Sequence, residues 1–211
     1  MEISLIAKHL LWFFLLLISL TLHEWGHAFV ADKLGDPTPR QEGRVSLNPL
    51  VHIDIFGTII FPLLCIFLSM GVLFGWGRQV TIHPSYFKKP EWHAALAGSA
   101  GILGNLLLCT IAALVIATNT PYQMLAYSLL ELNAILIAIN LFPIPGLDGF
   151  YFIKYIVKPS NATISFLENW GFFILLLLIN IPIIRLGLSS IVNGIISIFI
   201  KFSLWIHGIF V

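Results

Sequence analysis

The sequence predicts an all-α polytopic membrane protein: about five transmembrane helices plus a re-entrant or sixth hydrophobic segment, with short strand or loop elements near a functional site. Three observations carry that prediction. Of 211 residues, 58% are hydrophobic and only 10% are charged, at a mean hydropathy of +0.95, whereas soluble domains carry about 25% charged residues. The apolar residues gather in runs of roughly 18 or more, the length a helix needs to cross a bilayer. Gly, Pro and charge collect between the runs. A net charge of +1, without a basic patch interleaved with aromatics, excludes a nucleic-acid partner.

Taken in order, the first run covers about 3–30. Lys8 followed by Leu10 to Leu20 resembles a secretory leader, but no small-x-small cleavage site follows, so the segment reads as a retained membrane helix. The polar stretch "ADKLGDPTPRQEGRVSLNP" must lie outside the hydrocarbon, and "GRVSL" within it reads as a short strand. The second run, "IFGTIIFPLLCIFLSMGVLF", covers 55–74 and holds Gly57, Pro62 and Gly71, which suit a bent, returning segment. "GWGRQVTIHP" reads as another short strand. The remaining runs cover about 93–117, 122–142, 164–181 and 186–210. Cys65 and Cys109 sit inside apolar runs and read as small buried hydrophobes. The whole chain, 1–211, is expected to be one integral membrane domain, with core motifs over 20–150 and accessory helices over 160–211.

The first run ends in "TLHEWGHAFV", residues 21–30. On a helix His23 and His27 are one turn apart and share a face. That spacing lets two imidazoles grip one zinc ion, and Glu24 between them reaches a water that the metal acidifies. The pattern H-E-x-x-H is the zincin signature. Chance or helix-end capping explains it poorly, because ionisable groups beside lipid are costly and functional by default.

A catalytic zinc usually takes a third protein ligand. Glu131, Glu168 and Asp148 are the acids within reach of the apolar runs. Asp148 lies in "NLFPIPGLDGF", where Pro143 and Pro145 deny the backbone helix donors. Non-helical backbone at membrane depth is tolerated only when buried or lining a wet cavity, so this segment has a reason to face a site. HExxH on a membrane helix, followed by N-x-x-P-x-P-x-x-D-G near a later helix end, resembles the site-2 protease family of intramembrane zinc metalloproteases. Asn140, Pro143, Pro145, Asp148 and Gly149 fit the second motif. The resemblance implies His23, His27 and Asp148 as ligands of one Zn2+ per chain, and Glu24 as the catalytic acid and base. "ALAGSAGILGN" is similar to a third family pattern, A-G-P-x-x-N: Ala100, Gly101 and Asn105 match, and Ile102 stands where the pattern has proline. "GRVSLNPLVHIDIFGT" is also similar to a stretch in compact members, those without a PDZ or CBS domain. The matches reach from about residue 20 to 150.

Four further residues are site candidates. Asn140 and Asn105 are polar groups in apolar runs, suited to donating to an oxyanion or holding substrate backbone, or else to bonding between helices. His52 and Asp54, in "NPLVHID", are candidates for orienting a ligand from behind.

Topology follows from parity and charge. If the second run returns on itself, HEWGH and Asp148 share a side. That side then holds Lys33, Arg40, Arg44, Arg78, Lys88, Lys89, Lys154 and Lys158, against Lys8 and Arg185 opposite. Positive residues favour the cytoplasm, which places the site toward the cytoplasmic face of the plasma membrane. The expected function is hydrolysis of peptide bonds in or near transmembrane segments of membrane-protein substrates, with the lipid bilayer as surroundings. The alternative is a non-catalytic membrane zinc-binding protein or transporter.

Overall fold

The computed structural model describes residues 3–67 and 75–210. Nine α-helices are described: α1 (Ile3–Leu34), α2 (Thr38–Gln41), α3 (Phe61–Phe67), α4 (Pro90–Gly98), α5 (Ala100–Ala117), α6 (Gln123–Asn140), α7 (Asp148–Val157), α8 (Asn161–Asn180) and α9 (Pro182–Phe210). A π-helical turn, Ile55–Ile60, leads into α3. Among the described residues five helical spans are long and apolar enough to cross a membrane: Ala7–Leu34, Pro90–Ala117, Gln123–Asn140, Asn161–Asn180 and Pro182–Ile209. The chain is an integral membrane protein of the all-α class.

No strand forms among the described residues, which corrects the two short strands expected at "GRVSL" and "GWGRQVTIHP". The reason lies in Arg44. Its guanidinium donates to the carbonyls of Val51, Arg78 and Gln79. A side chain thus satisfies carbonyls that a ladder would otherwise use. The backbone adds isolated bonds, from Arg78 N to His52 O at 2.8 Å and from Trp76 N to Gly57 O at 3.1 Å. The result is an extended segment, 75–83, tied down without a partner strand.

Those ties also bear on topology. Residues 68–74 of the second apolar run lie outside the described residues. Thr58, near its start, and Trp76, just past it, nevertheless meet: Thr58 Oγ1 donates to Trp76 O at 2.8 Å, beside the Trp76–Gly57 bond. Gly57, Thr58 and Trp76 therefore lie at one level. Asp36 Oδ2 likewise accepts from His83 N at 2.6 Å. The loop after α1 and the loop before α4 therefore form one layer.

The core is a bundle of α1, α4, α5 and α6. α5 packs against α1, α6 and α9, while α1 also meets α4 and α6. Leu15, Leu16 and Leu20 of α1 cluster with Leu132 of α6, and Cys109 and Ala112 of α5 cluster with Ala126, Leu130 and Ile137 of α6. Cys65 and Cys109 are buried free thiols, as their surroundings suggested. Small residues let the backbones approach, as is usual between membrane helices. A Cβ on Gly26 would fall 2.6 Å from Ala100 O, and one on Gly104 would fall 2.5 Å from Leu22 O. Outward faces carry Phe14, Ile18, Leu103, Leu107 and Leu177, exposed as lipid-facing residues should be.

Two local features position the site. The third apolar run is not one helix, because it breaks at Ser99 between α4 and α5. Ser99 Oγ donates back to Ala95 O at 2.6 Å, the kind of back-bonding that bends helices. The break exposes a carbonyl at the end of α4 and amide groups at the start of α5. The segment after α6, 141–147, is a series of turns closed by Leu147 N to Ile144 O at 3.0 Å. Asp148 is then the first residue of α7 rather than part of an extended loop.

Candidate metal centre

α1 brings His23, Glu24 and His27 together over one buried turn, about 10–16 Å before the end of the helix. All three are buried, at 7%, 5% and 8% exposure. α7 brings Asp148 to the same point, 3% exposed. His23 Nε2 lies 3.4 Å from Asp148 Oδ1, His27 Nε2 lies 3.2 Å from the same oxygen, and the two nitrogens are 3.2 Å apart. Among the described residues this is the group of His, Cys, Asp and Glu side chains able to hold a metal, its atoms within 4.8 Å of one another.

The triangle fits zinc. Ligands at about 2.0–2.1 Å around a tetrahedral ion stand about 3.3 Å from each other, close to the three separations seen. Two imidazole lone pairs aimed at each other beside a carboxylate repel unless a cation or proton lies between them. The set of two imidazoles and one carboxylate also matches a catalytic zinc with an open position.

Each candidate ligand is held from behind. His27 Nδ1 donates to Ala97 O at 2.8 Å. A carbonyl only accepts, so the proton is on Nδ1 and the Nε2 lone pair faces the cluster. Asp148 Oδ2 accepts from Ile102 N at 3.0 Å, at the free amino-terminal end of α5 where a carboxylate is favoured. The residue that departs from the family's proline is thus the one that donates; a proline there has no N–H. His23 Nδ1 meets Asn105 Oδ1 at 2.7 Å. Gly101 is the floor: a Cβ there would overlap His23 Cε1 and His27 Nε2.

Beside the cluster lies a cavity of about 90 Å³. It is walled by Leu20, Glu24, Gln79, Leu136, Asn140 and Tyr151 together with the cluster and the 75–82 segment. Glu24 Oε2 is buried without a hydrogen-bond partner. An unsatisfied buried carboxylate oxygen beside such a cluster points to function or to a ligand.

The other candidates are placed as follows. Asn140 lines the cavity. Its Nδ2 donates to Leu136 O at 2.9 Å, which leaves one amide hydrogen for a ligand. Asn105 is fully buried, with Oδ1 on His23 and Nδ2 on Asn133. It lies behind the histidine rather than among the residues that wall the cavity, and its amide bonds between helices, the second of the two roles its sequence context suggests. His52 is 2% exposed and donates from Nε2 to Ser46 O at 2.7 Å. Burial, with the Arg44 guanidinium adding to it, holds its imidazole below the ordinary histidine value. Asp54 caps the π-helical turn, accepting from Gly57 N at 2.6 Å. Neither His52 nor Asp54 bonds a member of the cluster. Glu131 and Glu168 lie outside it too. Sequence reasoning missed Ser19, Asn133 and the Ile102 amide. Asn133 in "LLELNAILIAIN" carried a signal, an amide seven residues before Asn140 on one helix face; a backbone N–H carries none.

Curated proteins resemble the chain, three of them as follows. Putative zinc metalloprotease YwhC of Bacillus subtilis (strain 168) is 36% identical over 181 residues, covering 80% of this chain and 79% of that protein. Putative zinc metalloprotease Rip2 of Mycolicibacterium smegmatis is 30% identical over 176 residues, 79% of this chain and 65% of that protein. Rip2 of Mycobacterium tuberculosis (strain ATCC 25618 / H37Rv) is 30% identical over 154 residues, 69% of this chain and 56% of that protein. The chain spans less than two thirds of the Rip2 proteins' length. No family model matches the chain, and neither does any solved structure.

Proposed function

We propose that this chain, which belongs to one family with the protein named putative zinc metalloprotease YwhC, is a site-2 protease-type intramembrane zinc endopeptidase. It cuts peptide bonds in or near transmembrane segments of membrane-protein substrates, as regulated intramembrane proteolysis requires. The observation that carries the reading is the convergence of His23 Nε2, His27 Nε2 and Asp148 Oδ1 beside a Glu24 carboxylate whose buried Oε2 has no hydrogen-bond partner.

His23, His27 and Asp148 would hold the zinc. Bound there, zinc polarises a carbonyl and acidifies a water. Glu24 takes the proton of the attacking water and returns it to the leaving nitrogen. Its Oε2 has no internal partner to give up first. Asn140 offers its remaining amide hydrogen to the substrate backbone or the developing oxyanion. A helical substrate keeps its carbonyls tied up in its own backbone hydrogen bonds. The scissile segment therefore arrives unwound, and the extended 75–82 backbone along the cavity is a surface against which an extended peptide can lie. Residues 1–211 act as one domain, with 20–150 carrying the chemistry and 160–211 accessory. The loop layer that holds the basic residues faces the cytoplasm of the plasma membrane.

The competing reading is a non-catalytic zinc-binding protein or transporter. A purely structural ion has no use for a buried carboxylate with an unsatisfied oxygen. The test is Glu24→Gln in purified protein. Zinc content should stay at one ion per chain, and cleavage of a transmembrane test substrate should fall by at least about 10³-fold. Equal cleavage by both proteins ends the enzyme reading.

A further inference from the structure

We propose that Asn133, anchored to the Leu129 carbonyl and to Ser19, is a positioning residue for the metal centre: it fixes the orientation of the Asn105 amide, and through it the proton of His23 on Nδ1. The inference rests on the reading of His23 as a metal ligand.

Three fully buried polar side chains stand behind His23, one on each of α1, α5 and α6: Ser19, Asn105 and Asn133. His23 Nδ1 meets Asn105 Oδ1 at 2.7 Å, and Asn105 Nδ2 donates to Asn133 Oδ1 at 2.8 Å. Asn133 Nδ2 donates to Leu129 O at 2.8 Å and to Ser19 Oγ at 3.0 Å, while Ser19 Oγ donates to Leu15 O at 2.8 Å.

The polarity of this chain can be read from its far end. Backbone carbonyls only accept. Leu15 O therefore takes the Ser19 proton, which leaves Ser19 Oγ an acceptor. Ser19 Oγ and Leu129 O together demand that Asn133 present its NH2 group to them. Its oxygen then faces Asn105. That oxygen demands the NH2 group of Asn105, whose own oxygen then faces His23. An oxygen against Nδ1 demands a proton there and leaves the Nε2 lone pair for the metal. Without Asn133 nothing distinguishes the two ends of the Asn105 amide. Turned over, that amide would press an N–H on Nδ1, favouring the His23 tautomer that carries its proton on Nε2 and cannot ligate there. Outer partners of this kind fix tautomer and ring orientation in metal sites.

The test uses the full chain in lipid nanodiscs, as wild type, Asn133→Leu and Asn133→Asp. A buried aspartic acid keeps the polarity, since one oxygen accepts from Asn105 and the protonated one donates toward Leu129 O. Zinc affinity is measured by chelator competition, and 15N-histidine spectra of the zinc-loaded protein follow the Nδ1–H groups of the two ligands. Asn133→Leu should weaken zinc about tenfold or more and shift one Nδ1–H resonance, with that of His27 on Ala97 O unmoved. Asn133→Asp should stay within about threefold of wild type. If the leucine variant does not fold, Asn133→Ala removes the acceptor in its place. Equal losses in the leucine and aspartate variants, or both histidine resonances moving together, would mean a merely structural role and overturn the proposal. A wild type that holds zinc, with every variant matching it, overturns this inference alone. A wild type that holds no zinc overturns the metal reading and this inference with it.

Discussion

Two regions of the molecule do the same job with different materials. At the helix break around Ser99 the backbone supports the site: Ala97 O holds His27, and Ile102 N holds Asp148. Between α1, α5 and α6 the support is made of side chains, with Asn105, Asn133 and Ser19 holding His23. A broken helix offers unpaired carbonyls and amides without any change of side chain. An unbroken helix offers none, because its backbone bonds are closed within itself. α5 is helical at Asn105, α6 at Asn133 and α1 at Ser19. There, polar contact with His23 has to come from side chains. Such bonds between membrane helices average only about 0.6 kcal/mol each, too little to explain three buried polar residues as glue alone. Their value lies in direction.

The comparison breaks most sharply at Asn105. Replacing it with leucine keeps the volume and removes the amide that meets His23 Nδ1. The imidazole proton is then buried without an acceptor, and the ring loses its orientation. Zinc affinity should fall toward 100-fold, the upper end for partners one step behind a ligand. Chelator competition on purified protein measures it. A loss smaller than that caused by changes at the helix break would reverse the ranking of the two regions.

A smaller effect is expected from Ile102→Pro. Ile102 is the third residue of α5, where the amide has no intrahelical partner. Proline there costs the helix no bond, so the change isolates the N–H given to Asp148. Two imidazole contacts still hold Asp148 Oδ1. Zinc should weaken about tenfold, the lower end of the same range, while thermal unfolding stays near that of the wild type. Unchanged affinity would mean that the Ile102 contact is incidental, and that the proline of the family pattern serves this position equally well.

How much of this was legible beforehand depends on what each part is made of. The five spans were visible because length and hydropathy are properties of the sequence itself. His23, Glu24 and His27 were visible because one helical turn fixes their relation. Asp148 stood out through its prolines and glycines. The expected strands at "GRVSL" and "GWGRQVTIHP" did not form, because Arg44 reaches 34 residues along the chain to carbonyls that composition does not mark. Which of its two readings Asn105 follows was not legible, for a related reason. Whether an amide faces a cavity or the back of a histidine depends on helix rotation, which a motif does not encode.

The smallest effect expected is the most discriminating. Ala97 supplies a carbonyl to His27, and every residue has one. Ala97→Gly removes a methyl packed against Ala31 and Phe87 and lowers helix propensity near the end of α4, at a cost of about 1 kcal/mol. If the support at the helix break belongs to the backbone, stability falls by that amount and zinc affinity stays within about twofold of wild type, because the acceptor for His27 Nδ1 is still there. Thermal unfolding and chelator competition on the same preparation separate the two quantities. A zinc loss as large as that in Ile102→Pro would mean that side-chain packing steers the Ala97 carbonyl. Then the backbone would not be an independent support, and the two regions would differ only in how many side chains stand between a ligand and the core.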